Sequence, residues 1–211
     1  MDIPAAHLGG GIRAFGLDTM VHWVRTAQAA NPDCALISVG SGNGALESQI
    51  GALCVDPDPL SYKVTCRDLA EPYCAPSYAN VEALIAAQPQ LVGNAVLLLI
   101  WCNPNDSTYD YEAIQQLKPR AVVSLYELFY GGAGAAGGKR FHEWRADVAP
   151  CGVSASASAA PPYRLIQEAC LDPSEVDVRL GWWQRDAPVA TDLPAVYPAR
   201  VALRDPVCCV Q

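Results

Sequence analysis

The sequence predicts an α/β fold: a single three-layer domain whose mostly parallel sheet closes with a C-terminal antiparallel hairpin. Short apolar runs alternate with segments of helical spacing, which is the order of a parallel sheet covered by helices. The most apolar run, residues 94–101, is apolar on both faces, as the centre of a parallel sheet requires. Residues 163–171 and 176–184 alternate in part and flank a turn at 172–174, which predicts the hairpin.

The composition indicates an ordered, globular chain, because 51% of its 211 residues are hydrophobic and only 17% are charged. The net charge of −8 disfavours a nucleic-acid backbone as the main partner but leaves room for a local basic patch. No apolar run approaches the length of a membrane span, and the N-terminus lacks the basic-then-apolar plan of a secretion signal. We therefore expect an intracellular, cytoplasmic protein without a transmembrane segment.

The nine cysteines are predicted to be reduced, because none forms a C-x-x-C pair and several lie within apolar runs. The three histidines are far apart in sequence and lack zinc-ligand spacing, so no metal site is predicted. The last four residues fit the prenylation motif C-a-a-X, with Cys208 as the acceptor. The alternative is a chance match in a cysteine-rich chain.

Two parts of the chain are distinguished by composition. Residues 1–16 are rich in glycine and small residues and are predicted to form an N-terminal arm, and residues 17–211 to form the domain. The first long helix is predicted over 17–30, with Asp18 or Thr19 as its N-cap. The later elements predicted are a helix over 81–87 capped by Asn80, a helix to 117 capped by Asp110, a strand over 121–126 and a helix over 139–145.

A glycine turn between two short strands is the strongest indication of function. A strand near 36–39 leads into Gly-Ser-Gly-Asn-Gly, a short helix, a strand at 53–55 and then an acid. Glycines allow the backbone to approach a bulky ligand, and the helix that follows offers unpaired N–H groups. The acid at the strand end can accept two hydrogen bonds from a ribose diol. The predicted cofactor-binding residues are Gly40, Ser41, Gly42, Gly44 and Asp56.

Two classes of cofactor-binding protein share this layout. Gly40, Gly42 and Ala45 satisfy the dinucleotide pattern G-x-G-x-x-G/A, whereas Gly40, Gly42 and Gly44 satisfy G-x-G-x-G. Only 16 positions separate Gly40 from Asp56, and a dinucleotide fold places its acid about 20 residues on. The stretch therefore resembles class I (Rossmann-like) methyltransferases that use S-adenosylmethionine (SAM). It departs from them at Ser38, where many carry an acid that holds the amino end of the methionine moiety.

The resemblance extends to the loop after the apolar run 94–101. Asn103-Pro104 resembles the start of the N-P-P-[YFW] motif of methyltransferases that modify amino groups, in which the asparagine accepts hydrogen bonds from the target nitrogen. Asn105 replaces the second proline, and no aromatic residue follows it. The resemblance implies that Asn103 and Pro104 are the catalytic candidates. The alternative is an Asn-Pro turn that leads into a helix.

Three functions remain open at this point. The first is a SAM-dependent methyltransferase acting on an amino nitrogen of an unidentified acceptor. The second is a catalytically degenerate methyltransferase fold that serves as a scaffold or assembly subunit with a protein partner, because a fold does not determine function. The third is an NAD(P)-binding oxidoreductase.

Overall fold

The computed structural model describes most of the chain up to residue 186. The described ranges are 3–8, 10–61, 65–66, 68–100, 108–127, 138–148, 163–170 and 178–186. The candidate acceptor residues Asn103 and Pro104, the turn at 172–174 and Cys208 lie outside them.

The centre of the molecule is a six-stranded sheet. Its strands are Ala35–Val39 (β1), Leu53–Val55 (β2), Ala95–Ile100 (β3), Ala121–Glu127 (β4), Tyr163–Cys170 (β5) and Val178–Arg185 (β6). They lie in the order β2-β1-β3-β4-β6-β5, and the first four in that order are parallel neighbours. Strand β6 pairs antiparallel with both β4 and β5. The predicted mostly parallel sheet and its antiparallel hairpin are confirmed.

Strand β3 occupies the centre of the parallel part, between β1 and β4. All six of its residues are buried. This explains why the run is apolar on both faces, since helices cover the sheet above and below.

Within the described ranges, six α-helices cover the two faces of the sheet. They are Gly10–Phe15 (α1), Leu17–Ala29 (α2), Glu47–Ile50 (α3), Val81–Ala87 (α4), Tyr109–Leu117 (α5) and Lys139–Val148 (α6). Helices α1, α2 and α3 bury apolar side chains in one cluster with one face of the sheet, and α4, α5 and α6 do so on the other face. The predicted three-layer arrangement is confirmed. None of the helices in the described ranges has the length and apolar character needed to cross a membrane.

Helix α1 lies within the segment predicted to be an N-terminal arm. The side chains of Leu8 and Ile12 are buried in the same cluster as α2 and α3. The carbonyl of His7 accepts a hydrogen bond from the Asn43 side chain, 2.8 Å away. The N-terminal residues therefore contact the segment that follows β1.

The predicted N-cap of α2 is wrong. The helix begins at Leu17, and its N-cap is Gly16, which makes no side-chain cap and has φ of 83°. Glycine adopts this left-handed φ without steric cost, so a glycine turn replaces the side-chain cap expected from Asp18 or Thr19.

Of the two later caps, one is confirmed and one is wrong. The Asn80 side chain accepts a hydrogen bond from the Ala83 N–H at 2.8 Å, which caps α4 as predicted. Helix α5 begins at Tyr109 after the N-cap Thr108, so Asp110 lies inside the helix. The buried Asp110 carboxylate accepts a hydrogen bond from the Gly138 N–H at 2.9 Å and so joins α5 to the start of α6.

An aromatic cluster attaches α6 to the antiparallel strands. Ring centroids of Trp144 lie 5.5 Å from those of both Tyr163 and Trp183. Phe141 lies 5.7 Å from Tyr126, whose own ring is 5.6 Å from Trp183. Aromatic side chains bury large apolar areas, so this cluster accounts for much of the packing between the hairpin and the parallel strands.

Candidate functional site

The glycine turn follows β1 directly and has the backbone geometry that only glycine adopts easily. Gly40, Gly42 and Gly44 have φ of 70°, 55° and 71°. The Gly40 N–H donates to the Val55 carbonyl at 2.8 Å, which ties the start of the turn to the end of β2. The three glycines are therefore required by the backbone conformation of the turn.

The Asn43 side chain holds the turn from the side of the N-terminal residues. Its Nδ2 donates to the carbonyls of His7 and Thr65 at 2.8 and 2.9 Å. Its Oδ1 accepts from the Ala45 N–H at 3.1 Å. Asn43 is buried, and its three hydrogen bonds make the turn rigid. The sequence alone gives no sign of this role for Asn43, because two of its three partners, His7 and Thr65, are distant in sequence.

Asp56 lies against the glycine turn, as the sequence predicted. Its Oδ2 accepts from the Gly42 N–H at 2.8 Å, and its Oδ1 accepts from the Asp58 N–H, also at 2.8 Å. The Asp56 residue is half-buried. Each carboxylate oxygen has a further lone pair, so the group can still accept hydrogen bonds from a ligand.

Ser41 also belongs to the turn, and the residue is 9% exposed. Its Oγ has no nitrogen or oxygen partner within the described ranges, and it lies beside the Cys54 thiol on β2, whose pKa the Ser41 hydrogen bond lowers. Sulfur is a weak hydrogen-bonding partner, so a ligand with a stronger hydrogen-bonding group at this position would be favourable.

Residues 73–78 cover the outer edge of β2 next to the turn. The Tyr73 N–H donates to the Asn43 carbonyl at 2.7 Å. The Ser77 N–H donates to the Cys54 carbonyl at 2.8 Å, and Tyr78 forms a single parallel bridge with Val55. The segment therefore forms one wall beside Asp56 and fixes the separation between the turn and the sheet edge.

Glu47 is a buried carboxylate that the sequence analysis missed. It is the first residue of α3, it is 3% exposed, and its Oε1 accepts from the Ser38 hydroxyl at 2.6 Å. Across the described part of the chain, no cationic side chain forms an ion pair with it. Burial raises the pKa of Glu47 to about 7; the Asp56 charge adds to the rise, and the Ser38 hydrogen bond opposes it.

Glu47 lies next to Ser38, the position at which the sequence departs from the methyltransferase pattern. Serine stands where related patterns have an acid, and the structure brings a carboxylate to that serine from the next helix. Glu47 follows the glycine turn closely in the sequence, so a carboxylate near the turn could have been expected. The sequence does not indicate that the Glu47 side chain points back to Ser38 on β1.

The elements around the turn meet at one edge of the sheet. The parallel strands β1, β2 and β3 have their carboxyl ends at the same edge of the sheet. The chain goes from β1 to β2 on one side of β1, and it then crosses to β3 on the other side of β1. Open α/β sheets bind ligands at such a switch point. The glycine turn and Asp56 both lie there.

The antiparallel pair at the end of the sheet favours one of the two folds that share the glycine turn. A dinucleotide-binding sheet is usually parallel throughout, whereas a methyltransferase sheet closes with an antiparallel pair. Here β6 runs antiparallel to both of its neighbours. The fold is methyltransferase-like.

Comparisons with known proteins found similar solved structures. The methyltransferase domain of bacterial CtHen1 is 14% identical with a TM-score of 0.46, and the match covers 83% of this chain and 100% of that chain. Magnesium protoporphyrin IX methyltransferase (ChlM) from Synechocystis PCC 6803, solved with bound SAM, is 16% identical with a TM-score of 0.45. That match covers 88% of this chain and 87% of the other. No protein-family model and no curated protein matches the sequence.

Proposed function

We propose that the protein binds SAM at the glycine turn and transfers its methyl group to an acceptor. One observation carries the proposal. The Asp56 carboxylate accepts from the Gly42 N–H within a left-handed glycine turn, at the carboxyl ends of two adjacent parallel strands. The antiparallel closure of the sheet favours SAM over a dinucleotide.

The residues around the turn fit the parts of SAM in polarity. The carboxylate of Asp56 would accept hydrogen bonds from the ribose hydroxyls, and the hydroxyl of Ser41 would gain a stronger partner than the Cys54 thiol. The glycines would let the backbone approach the ligand closely. When bound, SAM supplies a methyl group on a sulfonium centre, and the protein's contribution is to hold donor and acceptor in line.

Glu47 would supply the negative charge for the amino group of the methionine moiety. Its carboxylate is hydrogen-bonded to Ser38, at the position where similar proteins carry an acid. An ionised carboxylate that is buried without a cation is unfavourable, and a cationic ligand group offsets that cost.

Replacement of Asp56 by alanine is expected to weaken SAM binding by about 1–3 kcal/mol, because ligand hydroxyls lose their acceptors. Isothermal titration calorimetry with SAM measures the change. The matched control is Asp58→Ala in the same turn, because the Asp58 residue is exposed and only its backbone N–H contacts Asp56. The control should bind SAM like the wild type, and equal weakening in both variants would contradict the assignment.

The same titration separates the three candidate functions. A wild-type protein that binds NADH and not SAM would be an oxidoreductase. A protein with no affinity for either at about millimolar ligand, roughly −4 kcal/mol of binding free energy, would favour the scaffold function. Binding of SAM without methyl transfer to any acceptor would also be consistent with the scaffold function.

We further propose that the acceptor is an amino nitrogen held by Asn103, with Pro104 fixing the backbone beside it. Proline has no N–H, so carbonyls near it are free to accept hydrogen bonds from a substrate amine. The support is the partial N-P motif and the position of β3, whose carboxyl end opens at the switch point.

The variant Asn103→Ala is expected to slow methyl transfer about tenfold to a hundredfold, the equivalent of one or two lost hydrogen bonds. SAM affinity should stay nearly unchanged, because the lost contacts are to the acceptor. The measurement is transfer from radiolabelled SAM alongside calorimetry. Asn105→Ala, at the position that departs from the motif, is the control and should retain transfer. Full activity of Asn103→Ala on the identified acceptor would overturn the assignment.

A further inference from the structure

Two thiols from distant parts of the chain meet beside the glycine turn. Cys54 lies in the middle of β2 and is fully buried, and Cys74 lies in the covering segment 73–78 and is half-buried. The Cys54 thiol donates to the Cys74 sulfur, and the two sulfurs are 2.9 Å apart. Both cysteines are free thiols in this structure.

Packing holds the two thiols in this arrangement from both sides. A Cβ atom added to Gly44 would lie 2.7 Å from the Cβ and the backbone nitrogen of Cys74, so Cys74 rests directly on the glycine turn. On the other side, the Ser77 N–H donates to the Cys54 carbonyl at 2.8 Å. The sulfurs, 2.9 Å apart, would have to approach by roughly 0.9 Å to reach the length of a disulfide bond, about 2.05 Å.

We propose that Cys54 and Cys74 are an oxidation site and form a reversible disulfide that fastens residues 73–78 to β2. This inference goes beyond the proposed function, since it concerns the chain whether or not SAM binds. The oxidant is a low-molecular-weight disulfide that reacts by thiol–disulfide exchange. The two protein thiols together lose two electrons and two protons, and the oxidant is reduced to two thiols.

The exposure of the two thiols sets the order of the exchange steps. Cys74 is the more accessible, so its thiolate attacks the small disulfide first, releases one small thiol and forms a mixed disulfide. Cys54 then attacks the sulfur of Cys74 and releases the second small thiol. Burial raises the pKa of the Cys54 thiol well above its usual value, and the Glu47 charge adds to this effect, whereas the Ser41 hydrogen bond lowers the pKa. The second step is therefore the slow one and should be faster at alkaline pH.

The disulfide would act on the wall of the proposed cofactor crevice. Segment 73–78 contacts both the glycine turn and the end of β2 next to Asp56. A covalent link at Cys74 would hold this wall in place, whereas the reduced form relies on hydrogen bonds and on packing of Tyr73 and Tyr78 against the apolar clusters. Because Cys74 is half-buried, the bond would remain accessible to small thiols, and the exchange that forms it is reversible.

The test uses the full chain and oxidised glutathione as the probe. Wild type, Cys74→Ser and the control Cys34→Ser are incubated with a glutathione redox buffer at graded potentials, and free thiols are then alkylated. Peptides are mapped by mass spectrometry without reduction. Cys34 is a half-buried free cysteine before β1, with no thiol contact found among the described residues, so it is a matched control.

The expected result is a peptide that joins Cys54 to Cys74, with a mass loss of two hydrogens, in wild type and Cys34→Ser. The link should be absent from Cys74→Ser, and reducing agent should reverse it. Oxidation should also raise the Tm of wild type and leave that of Cys74→Ser unchanged, which checks that the folded protein is being oxidised. A different cysteine pair, or a Cys74 that stops at the mixed disulfide, would overturn the proposal. The proposal would also be overturned if Cys54 and Cys74 both stayed reduced in the most oxidising glutathione buffer. These readouts do not depend on SAM, so their failure is separate from a failure of the proposed function.

Discussion

Replacing Glu47 with glutamine is expected to stabilise the protein at pH 8 by roughly 3 kcal/mol of unfolding free energy. The residue is fully enclosed, and burial raises the pKa of its carboxyl to about 7 from an ordinary value of 4.5. Glutamine keeps the oxygen that accepts from Ser38 but carries no charge, so the cost of ionisation disappears. Urea unfolding of both proteins at several pH values measures the difference.

The sign follows from the order in which the two states release the proton. The unfolded chain releases the Glu47 proton near pH 4.5 and the folded chain near pH 7, so the folded state holds more protons between these values. Rising pH therefore destabilises the wild type across this window. The two proteins should have nearly equal stability at pH 4.5, diverge up to pH 7 and stay apart above it.

A matched control isolates burial as the cause. Glu71 is exposed, so Glu71→Gln should follow the wild-type stability curve at every pH. Equal stability of Glu47→Gln and wild type at pH 8 would show that Glu47 ionises in the folded state without cost.

The proposed role of Glu47 in binding predicts that the substitution that raises stability lowers the affinity for SAM. If Glu47 holds the amino group of SAM, the more stable glutamine variant should bind SAM about tenfold more weakly, since a charged hydrogen bond is lost. A purely structural Glu47 would leave SAM affinity unchanged while the stability difference remained. The two measurements on one variant therefore separate a binding role from a packing role.

The sequence was sufficient to predict the sheet because each strand has a local signal. Residues 94–101 form the longest apolar run and became the buried central strand β3. Partial alternation around a turn identified β5 and β6 as an antiparallel pair. Gly42 and Asp56 were predicted to bind one cofactor from the order strand, glycine turn, helix, strand and acid, and the structure brings the Gly42 N–H to the Asp56 carboxylate.

Contacts between distant side chains could not be predicted in the same way. Glu47 reaches Ser38, and Cys54 reaches Cys74, through orientations that no periodicity encodes. The predicted N-caps of α2 and α5 were wrong for a related reason. An Asp or Thr near a helix start favours a cap there, but Gly16 ends the preceding helix and begins α2 by its backbone conformation alone. The preference of Asp and Thr for N-cap positions was therefore overridden by the backbone conformation of the residue that precedes the helix.

The variant Gly44→Ala is expected to destabilise the protein by about 2–5 kcal/mol, through two additive effects. Gly44 has φ of 71°, and a side chain in this left-handed region costs roughly 1–2 kcal/mol. The new Cβ would also lie within 2.7–2.8 Å of the Cys74 Cβ, nitrogen and carbonyl oxygen. Two of these are backbone atoms that cannot move independently of segment 73–78, so the overlap adds about 1–3 kcal/mol. Denaturant unfolding measures the total.

The chain offers a control in which only the backbone strain is present. Gly51 also has φ of 71°, but a Cβ there would meet nothing within 4 Å. Gly51→Ala should therefore cost only the roughly 1–2 kcal/mol of strain, and the difference between the variants measures the contact with Cys74. Relief of the overlap would push Cys74 away from the turn, so the buried Cys54 thiol should react faster with alkylating agents in Gly44→Ala than in Gly51→Ala. Equal stability of the two variants, with equal thiol reactivity, would mean that segment 73–78 does not rest on the glycine turn in solution.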